Sequence, residues 1–273
     1  MAVQGMRPPN RTAQWISAAA GLVLISFAAE ARALDGTGIM RKALDVVYYQ
    51  GNDQRADVDM TITDAQGRER VRQMTLLRRN QGTSGGDQKY YVYFSKPADV
   101  KRMVFMAWKH PDQGDDRWLY LPALDLVRRI AASDERTSFV GSHFYYEDVS
   151  GRNLAEDTHT LESETDAYYI LRSVPADPGS VEFSYYRIWV DKQSFMPMKL
   201  EYRDAKDRAY RTYRVLKTET ISGYPTAVEV QMEDNLSGGH TILKYTSVEY
   251  SLGLPDNIFT ERYLRKPAKK YLR

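Results

Sequence analysis

The hydrophobic pattern of this chain changes period once. Over residues 36–50, Ile39, Met40, Ala43, Leu44, Val46 and Val47 recur at helical spacing and Gly51 offers a stop, which predicts a helix over Gly36–Gln50. From Arg55 onward the pattern is that of strands. Val58, Met60 and Ile62 alternate with polar residues over Arg55–Thr63, a turn follows at Asp64–Gly67, and Glu69–Arg79 returns as an antiparallel partner. Further strands are predicted at Lys89–Ser95, Lys101–Lys109, Trp118–Leu121 and Leu126–Ile130. Beyond Gly151 come Leu154–Glu162, Ala167–Ser173, Glu182–Val190, Pro197–Arg203, Tyr210–Glu219, Tyr224–Glu233 and Gly239–Tyr250. Asn257–Leu264 is read as a short closing helix. Antiparallel strands recurring at this pace, with turn residues between them, predict a mainly β fold with few helices: a barrel or a strongly curved sheet.

Some strands are apolar on one face and others on both. Val228, Val230 and Met232 alternate with Glu229, Gln231 and Glu233, whereas Phe183, Tyr185 and Trp189 alternate with a second partly apolar set, Tyr186, Ile188 and Val190. Parity alone does not say which set faces inward. Large, adaptable Met and aromatic side chains on a concave face suit a loosely defined apolar ligand; packed together, they are an ordinary core.

Composition adds a processing signal and removes several function classes. Arg7 and Arg11 precede an apolar stretch, Ala13–Ala29, and Ala31–Ala33 reads as a small-x-small cleavage site, so residues 1–33 are expected to be a cleaved secretory signal peptide and residues 34–273 a single domain. Lys and Arg total 38 against 36 Asp and Glu; without residues 1–33, which hold Arg7, Arg11, Arg32 and Glu30, 35 of each remain. A balanced, mixed charge argues against a nucleic-acid partner. The chain contains no cysteine, which excludes disulfides and the lipid-bearing cysteine of a lipoprotein; a soluble periplasmic protein is expected.

Catalytic signatures do not emerge. His110, His143, His159 and His240 lack metal-ligand spacing and are each expected at the surface or in turns. No nucleophile elbow or phosphate-binding glycine loop is present, so neither an enzyme nor a metal or cofactor site is expected. The richest segment is Arg117–Arg152, where Arg128 and Arg129 precede an aromatic cluster, Phe139–Tyr146, followed by Glu147 and Asp148. Strand geometry turns one arginine of the pair inward, where it needs a carboxylate. Arg128 with Glu147 and Asp148 therefore reads as a rim or latch, or as a contact to an anionic head group; an ordinary surface pair of arginines on an edge strand is the equal alternative.

Several motifs in and around this segment carry a family resemblance. Phe94-Ser-Lys-Pro97, Asp99-Val-Lys101, Trp118-Leu-Tyr-Leu-Pro122, Arg128-Arg-Ile130, Ser138-Phe-Val-Gly-Ser142 and Tyr146-Glu-Asp148 resemble the LolA-like outer-membrane lipoprotein-sorting family, in particular its branch often found beside RND/MMPL-type exporters. The resemblance implies an incomplete antiparallel β-barrel with an α-helical lid over an apolar cavity. It also implies a carrier of lipid or lipoprotein acyl chains between inner and outer membrane, with an inner-membrane transporter and an outer-membrane acceptor as partners. The branch commonly has Gly at the position of Arg102 and Asp at that of His143. Cavity-lining positions are expected at Met60, Tyr93, Phe105, Trp118, Tyr120, Phe139, Phe144, Tyr145, Trp189 and Met232, in a protein acting as a monomer. The alternative is an envelope sensor or scaffold with a closed β core.

Overall fold

The computed structural model describes residues 34–82 and 84–272, together with residues 1, 2, 4 and 5. The chain divides into two units, Met1–Ala33 and Leu34–Arg273; the account below concerns the second, and the expected signal peptide falls, but for residues 1, 2, 4 and 5, outside the described residues. Thirteen strands form one antiparallel sheet: β1 (Asp53–Thr63), β2 (Glu69–Asn80), β3 (Gln88–Lys96), β4 (Val104–Lys109), β5 (Asp116–Leu121), β6 (Leu126–Ile130), β7 (Asp157–Glu164), β8 (Tyr168–Pro175), β9 (Tyr185–Asp191), β10 (Pro197–Arg203), β11 (Ala209–Ile221), β12 (Tyr224–Asp234) and β13 (His240–Tyr250). Their order, β6-β5-β4-β3-β2-β1-β13-β12-β11-β10-β9-β8-β7, is two meanders joined where β1 pairs with β13. The sheet is curved and open, with β6 and β7 as edges. The fold is the expected incomplete barrel of the LolA type.

The predicted N-terminal helix is present and changes character along its length. Helix α1 (Gly36–Leu44) is capped by Asp35, whose carboxylate accepts from the Gly38 N–H at 2.7 Å, and it continues as a π-helical turn over Asp45–Tyr49. Ile39, Met40 and Ala43 pack on Leu171, Ile188 and Val190 of β8 and β9. Gly36 sits so close to β7 that a Cβ would lie 2.6 Å from the His159 carbonyl oxygen, so only glycine allows this approach.

The two faces of the sheet are covered differently. Ala56, Val58, Met60 and Ile62 of β1 turn to the inner face, with Met74, Val92, Phe105 and Leu119 from the neighbouring strands. The segment between β6 and β7, which includes helix α2 (Tyr146–Ser150), closes over part of it: Phe139 and Tyr146 lie 5.4 and 5.5 Å from the Phe105 ring. On the outer face of β2–β5, Leu77, Tyr91, Met106 and Trp118 are covered by Leu254, Ile258, Phe259 and Leu264 of the C-terminal segment. That segment is a 3₁₀ turn (Asp256–Ile258) and a short helix α3 (Arg262–Arg265) rather than one helix. Asp53 anchors its start by accepting from the Leu252 and Leu254 N–H groups at 2.7 and 2.8 Å.

Arg102 occupies the turn between β3 and β4 with φ +71° and an exposed side chain. Non-glycine residues pay about 1–2 kcal/mol in the left-handed region, which gives a physical reason for the glycine common there in the branch this chain resembles. Arg102→Gly is expected to raise stability by up to about 1 kcal/mol, after the greater freedom glycine gives the unfolded chain is subtracted. A urea denaturation midpoint that falls would contradict this account of the turn.

Candidate functional site

A cavity of about 220 Å³ remains between the inner face and the helical segments. Tyr90 of β3 and Ile188 of β9 both line it. These strands are seven steps apart in the sheet, about 34 Å if the sheet were flat at ~4.8 Å per step, so strong curvature is what brings them to one cavity. Three sources build the wall. Helix α1 and the π turn give Met40, Leu44, Val46, Val47 and Tyr48; the segment before β7 gives Phe139, Phe144 and Val149; the strands give Met74, Leu76, Tyr213, Val230, Met232 and Tyr245, among others. Tyr48 is seated on Gly151, where a Cβ would lie 2.5 Å from the ring.

Three of the wall tyrosines reveal the medium. Burial pushes the phenols of Tyr48 and Tyr213 well above their ordinary range and that of Tyr245 up to about 12. Each nonetheless keeps part of its surface uncovered, and all three line the cavity. Burial is the largest cause in each case.

Glu147 and Asp148 lie in the same wall and carry its negative charge, with Arg78 and Arg152 beside them. Glu147 is buried and clamped by two arginines: Arg136 pairs with one carboxylate oxygen and Arg152 with the other at 3.1 Å. Arg152 also holds Asp157 of β7 at 2.9 Å, and the Tyr186 hydroxyl donates to Asp157 at 2.9 Å. Asp148 pairs with the buried Arg211 of β11 and accepts from the Tyr145 N–H at 2.5 Å. The Arg211 guanidinium stacks 3.8 Å from the Tyr145 ring centroid and donates to the His143 carbonyl at 3.1 Å. The network ties α2 to β7, β9 and β11. Burial pushes the Glu147 carboxyl up, to about 7, against the downward pull of Arg136 and Arg152.

The sequence-derived positions divide into groups. Phe139, Phe144, Met232, Glu147 and Asp148 line the cavity. Met60 and Phe105 face inward but are fully buried beneath it and belong to the packed core. Tyr145 packs beside the wall under Arg136 and Arg211. Tyr93, Trp118 and Tyr120 project from the opposite face, against the C-terminal segment, where Trp118 meets Trp108 edge-on at 5.1 Å. On β9 it is Tyr186 and Ile188 that line the cavity; Trp189 points the other way, with the Lys199 ammonium 4.4 Å above its ring.

The latch has other partners than expected. Arg128 shares the parity of Ile130 but stays exposed and pairs with Asp134 at 2.9 Å, because no sheet strand lies beyond β6 to bury it. Arg136, Arg152 and Arg211 hold the two carboxylates instead. His159 is also not a surface residue: it is buried, with Nδ1 2.8 Å from the Ser173 hydroxyl and Nε2 3.2 Å from the Leu154 carbonyl. His143 is half-buried, with Nδ1 2.8 Å from the Thr241 hydroxyl. Burial lowers its pKa, opposed by Asp234 and helped by His240, Arg211 and Arg70. Among the described residues no group of three His, Cys, Asp or Glu side chains is placed to hold a metal ion.

Arg136 reaches a second carboxylate, donating to both oxygens of Glu182 at 2.6 and 2.8 Å. Burial opposes the Glu182 charge, but these hydrogen bonds and the guanidinium's attraction outweigh it and hold the carboxyl down at about 2. The folded value lies below the ordinary 4.5, so this contribution to stability is complete above pH of about 4.5 and is lost as pH falls through about 2. Denaturation at pH 5 and at pH 3 is expected to show a drop that Glu182→Gln makes smaller; an equal drop in the variant would remove Glu182 as a cause.

A protein-family model described as "-like: Uncharacterized protein" matches residues 86–266. No curated protein matches the chain. Solved structures do. A DUF1329 family protein from Desulfovibrio piger is 27% identical with a TM-score of 0.78, the match covering 84% of this chain and 97% of that one. A putative outer membrane lipoprotein-sorting protein domain from Vibrio parahaemolyticus is 26% identical with a TM-score of 0.76, covering 85% and 98%. A LolA superfamily protein from Nitrosomonas europaea, 23% identical with a TM-score of 0.65 and covering 85% and 100%, shares the fold.

Proposed function

We propose that this chain, which has the fold of LolA-like outer-membrane lipoprotein-sorting domains and of a DUF1329 family protein, is a periplasmic, non-enzymatic carrier that shelters an acyl chain of a lipid or lipoprotein and passes it between membranes. The observation that carries this reading is the cavity itself: an apolar space walled by Met74, Met196, Met232 and half-covered tyrosines, where a purely structural sheet would pack solid. A closed β core, the alternative, has no such space. Each methylene moved from water into it stabilises the complex by about 0.8 kcal/mol, so affinity grows with chain length more than with chemical detail.

The signal-like leader and the lack of cysteine support export without a lipid anchor, and among the described residues no helix is long and apolar enough to cross a membrane. The proposed route runs from an RND/MMPL-type inner-membrane transporter to an outer-membrane acceptor, with the protein acting as a monomer. Release follows from movement of the π-helical turn and α2, the covering parts of the wall.

Ala227 lines the cavity from β12 and is only half-buried, so a larger side chain there fills the space without removing a core contact. Ala227→Trp is expected to lower the affinity for a fluorescent C16 fatty acid at least about tenfold, the loss of a few buried methylenes, while the melting temperature stays near that of the parent. Undiminished uptake by the folded variant would count against the cavity as the binding site.

A further inference from the structure

A second cavity, of about 260 Å³, lies behind the first, and Leu44, Tyr48 and Arg152 line both. Its wall is different in kind. Arg41, Lys109 and Arg152 bring cations, and Asp45 and Asp112 bring carboxylates. These charges are not equivalent. Arg152 is engaged by Glu147 and Asp157, Asp45 accepts from the Ser84 hydroxyl, and Asp112 is exposed. Lys109 is 3% exposed, and its Nζ donates to the carbonyl oxygens of Ser150 and Gly151 at 2.8 and 2.5 Å. An ammonium has three donors, so one is left without an oxygen partner, the centroid of the Tyr48 ring standing 5.8 Å away, and among the described residues no carboxylate lies within ion-pair distance of it. The nearby Asp115 is committed to Arg117 at 2.8 Å. Arg41, exposed on α1, also pairs with no carboxylate among the described residues.

A buried ammonium without a counter-ion is costly, and burial, opposed by Asp115 and Glu156, pushes Lys109 down to about 8. An arriving oxyanion would take the free donor, restore the charge and be met at the surface by Arg41. We propose that the second cavity receives the anionic head group, phosphate or carboxylate, of the amphiphile whose acyl chain occupies the first, Lys109 supplying the buried contact and Arg41 the outer one. The inference rests on the carrier reading and narrows its cargo to anionic amphiphiles.

Displacement of a fluorescent fatty acid from the purified protein by lysophosphatidic acid and by a monoacylglycerol of equal chain length tests it. The parent is expected to prefer the anionic ligand at least about tenfold, as a charge-assisted hydrogen bond supplies. Lys109→Met and Arg41→Gln should each bring the ratio of the two affinities toward one; Arg41 is exposed, so that variant decides the matter if Lys109→Met does not fold. Equal affinities in the parent, or a preference kept by Arg41→Gln and by any folded Lys109→Met, would overturn the head-group site and leave the carrier reading standing. Failure of the parent to bind either amphiphile would sink both. Displacement by inorganic phosphate alone would make the cavity a site for free anions and also overturn the assignment.

Discussion

The placing of two adjacent carboxylates in the interior wall, Glu147 buried and Asp148 largely so, is the constraint on which the arrangement depends. Neither can lie within the protein without cations, and these come from separate elements: Arg211 from β11, Arg152 and Arg136 from the segments flanking α2. Removing one partner of a buried pair typically costs about 3–5 kcal/mol, because the other is left charged and unpaired. The pairs therefore act less as a source of net stability than as a restriction on where α2 can sit. With α2 fixed, Phe139 and Tyr146 meet Phe105 on the inner face, and Tyr48 finds the bare backbone of Gly151 to lie on.

This fixed frame explains how an apolar space persists in a protein that could otherwise collapse to fill it. The wall consists of long or rigid side chains on elements held from outside: α1 by Gly36 against β7, the π turn by Arg78, which donates to the carbonyls of Tyr48 and Gln50, and α2 by its arginines. Val140, in the left-handed region at φ +50°, is held by Arg72 of β2, which donates to its carbonyl. A β-branched residue adopts that conformation only where its surroundings over-determine it. The charged latch, the strained turn and the open cavity occur in one wall, which is where a cover that must both hold and yield would be built.

Much of the fold was legible in the sequence. Strand positions and turns followed the period-two pattern; the strand starts moved most, by three residues, at β4, β7 and β9, and at β4 and β7 a turn at Pro97–Arg102 and a 3₁₀ turn at Leu154–Glu156 delayed the strand. The faces were less legible. On β5 and β9 both sets of side chains are large and apolar, because the C-terminal segment covers the outside of β5 and Lys199 covers Trp189; amphipathic alternation is then missing, and Trp118, Tyr120 and Trp189 looked as fit for a cavity as Tyr186 and Ile188. Arg136 and Arg211 were missed as latch residues for a related reason. Nothing in the spacing of Arg211 points to a carboxylate 63 residues away, whereas Arg128, nearer in sequence, stands on an edge strand that leaves it in water.

The account turns on one claim, that an acyl chain lies within the first cavity. Methyl NMR with labelled methionines and a ¹³C-labelled fatty acid tests it most directly. Met74, Met196 and Met232 line the cavity from three different strands or their flanks, whereas Met106 lies on the opposite face under the C-terminal segment. The account predicts contacts from the chain to the first three methyl groups and none to Met106. Contacts to Met106, or saturating ligand with no contact to any of the three, would contradict it.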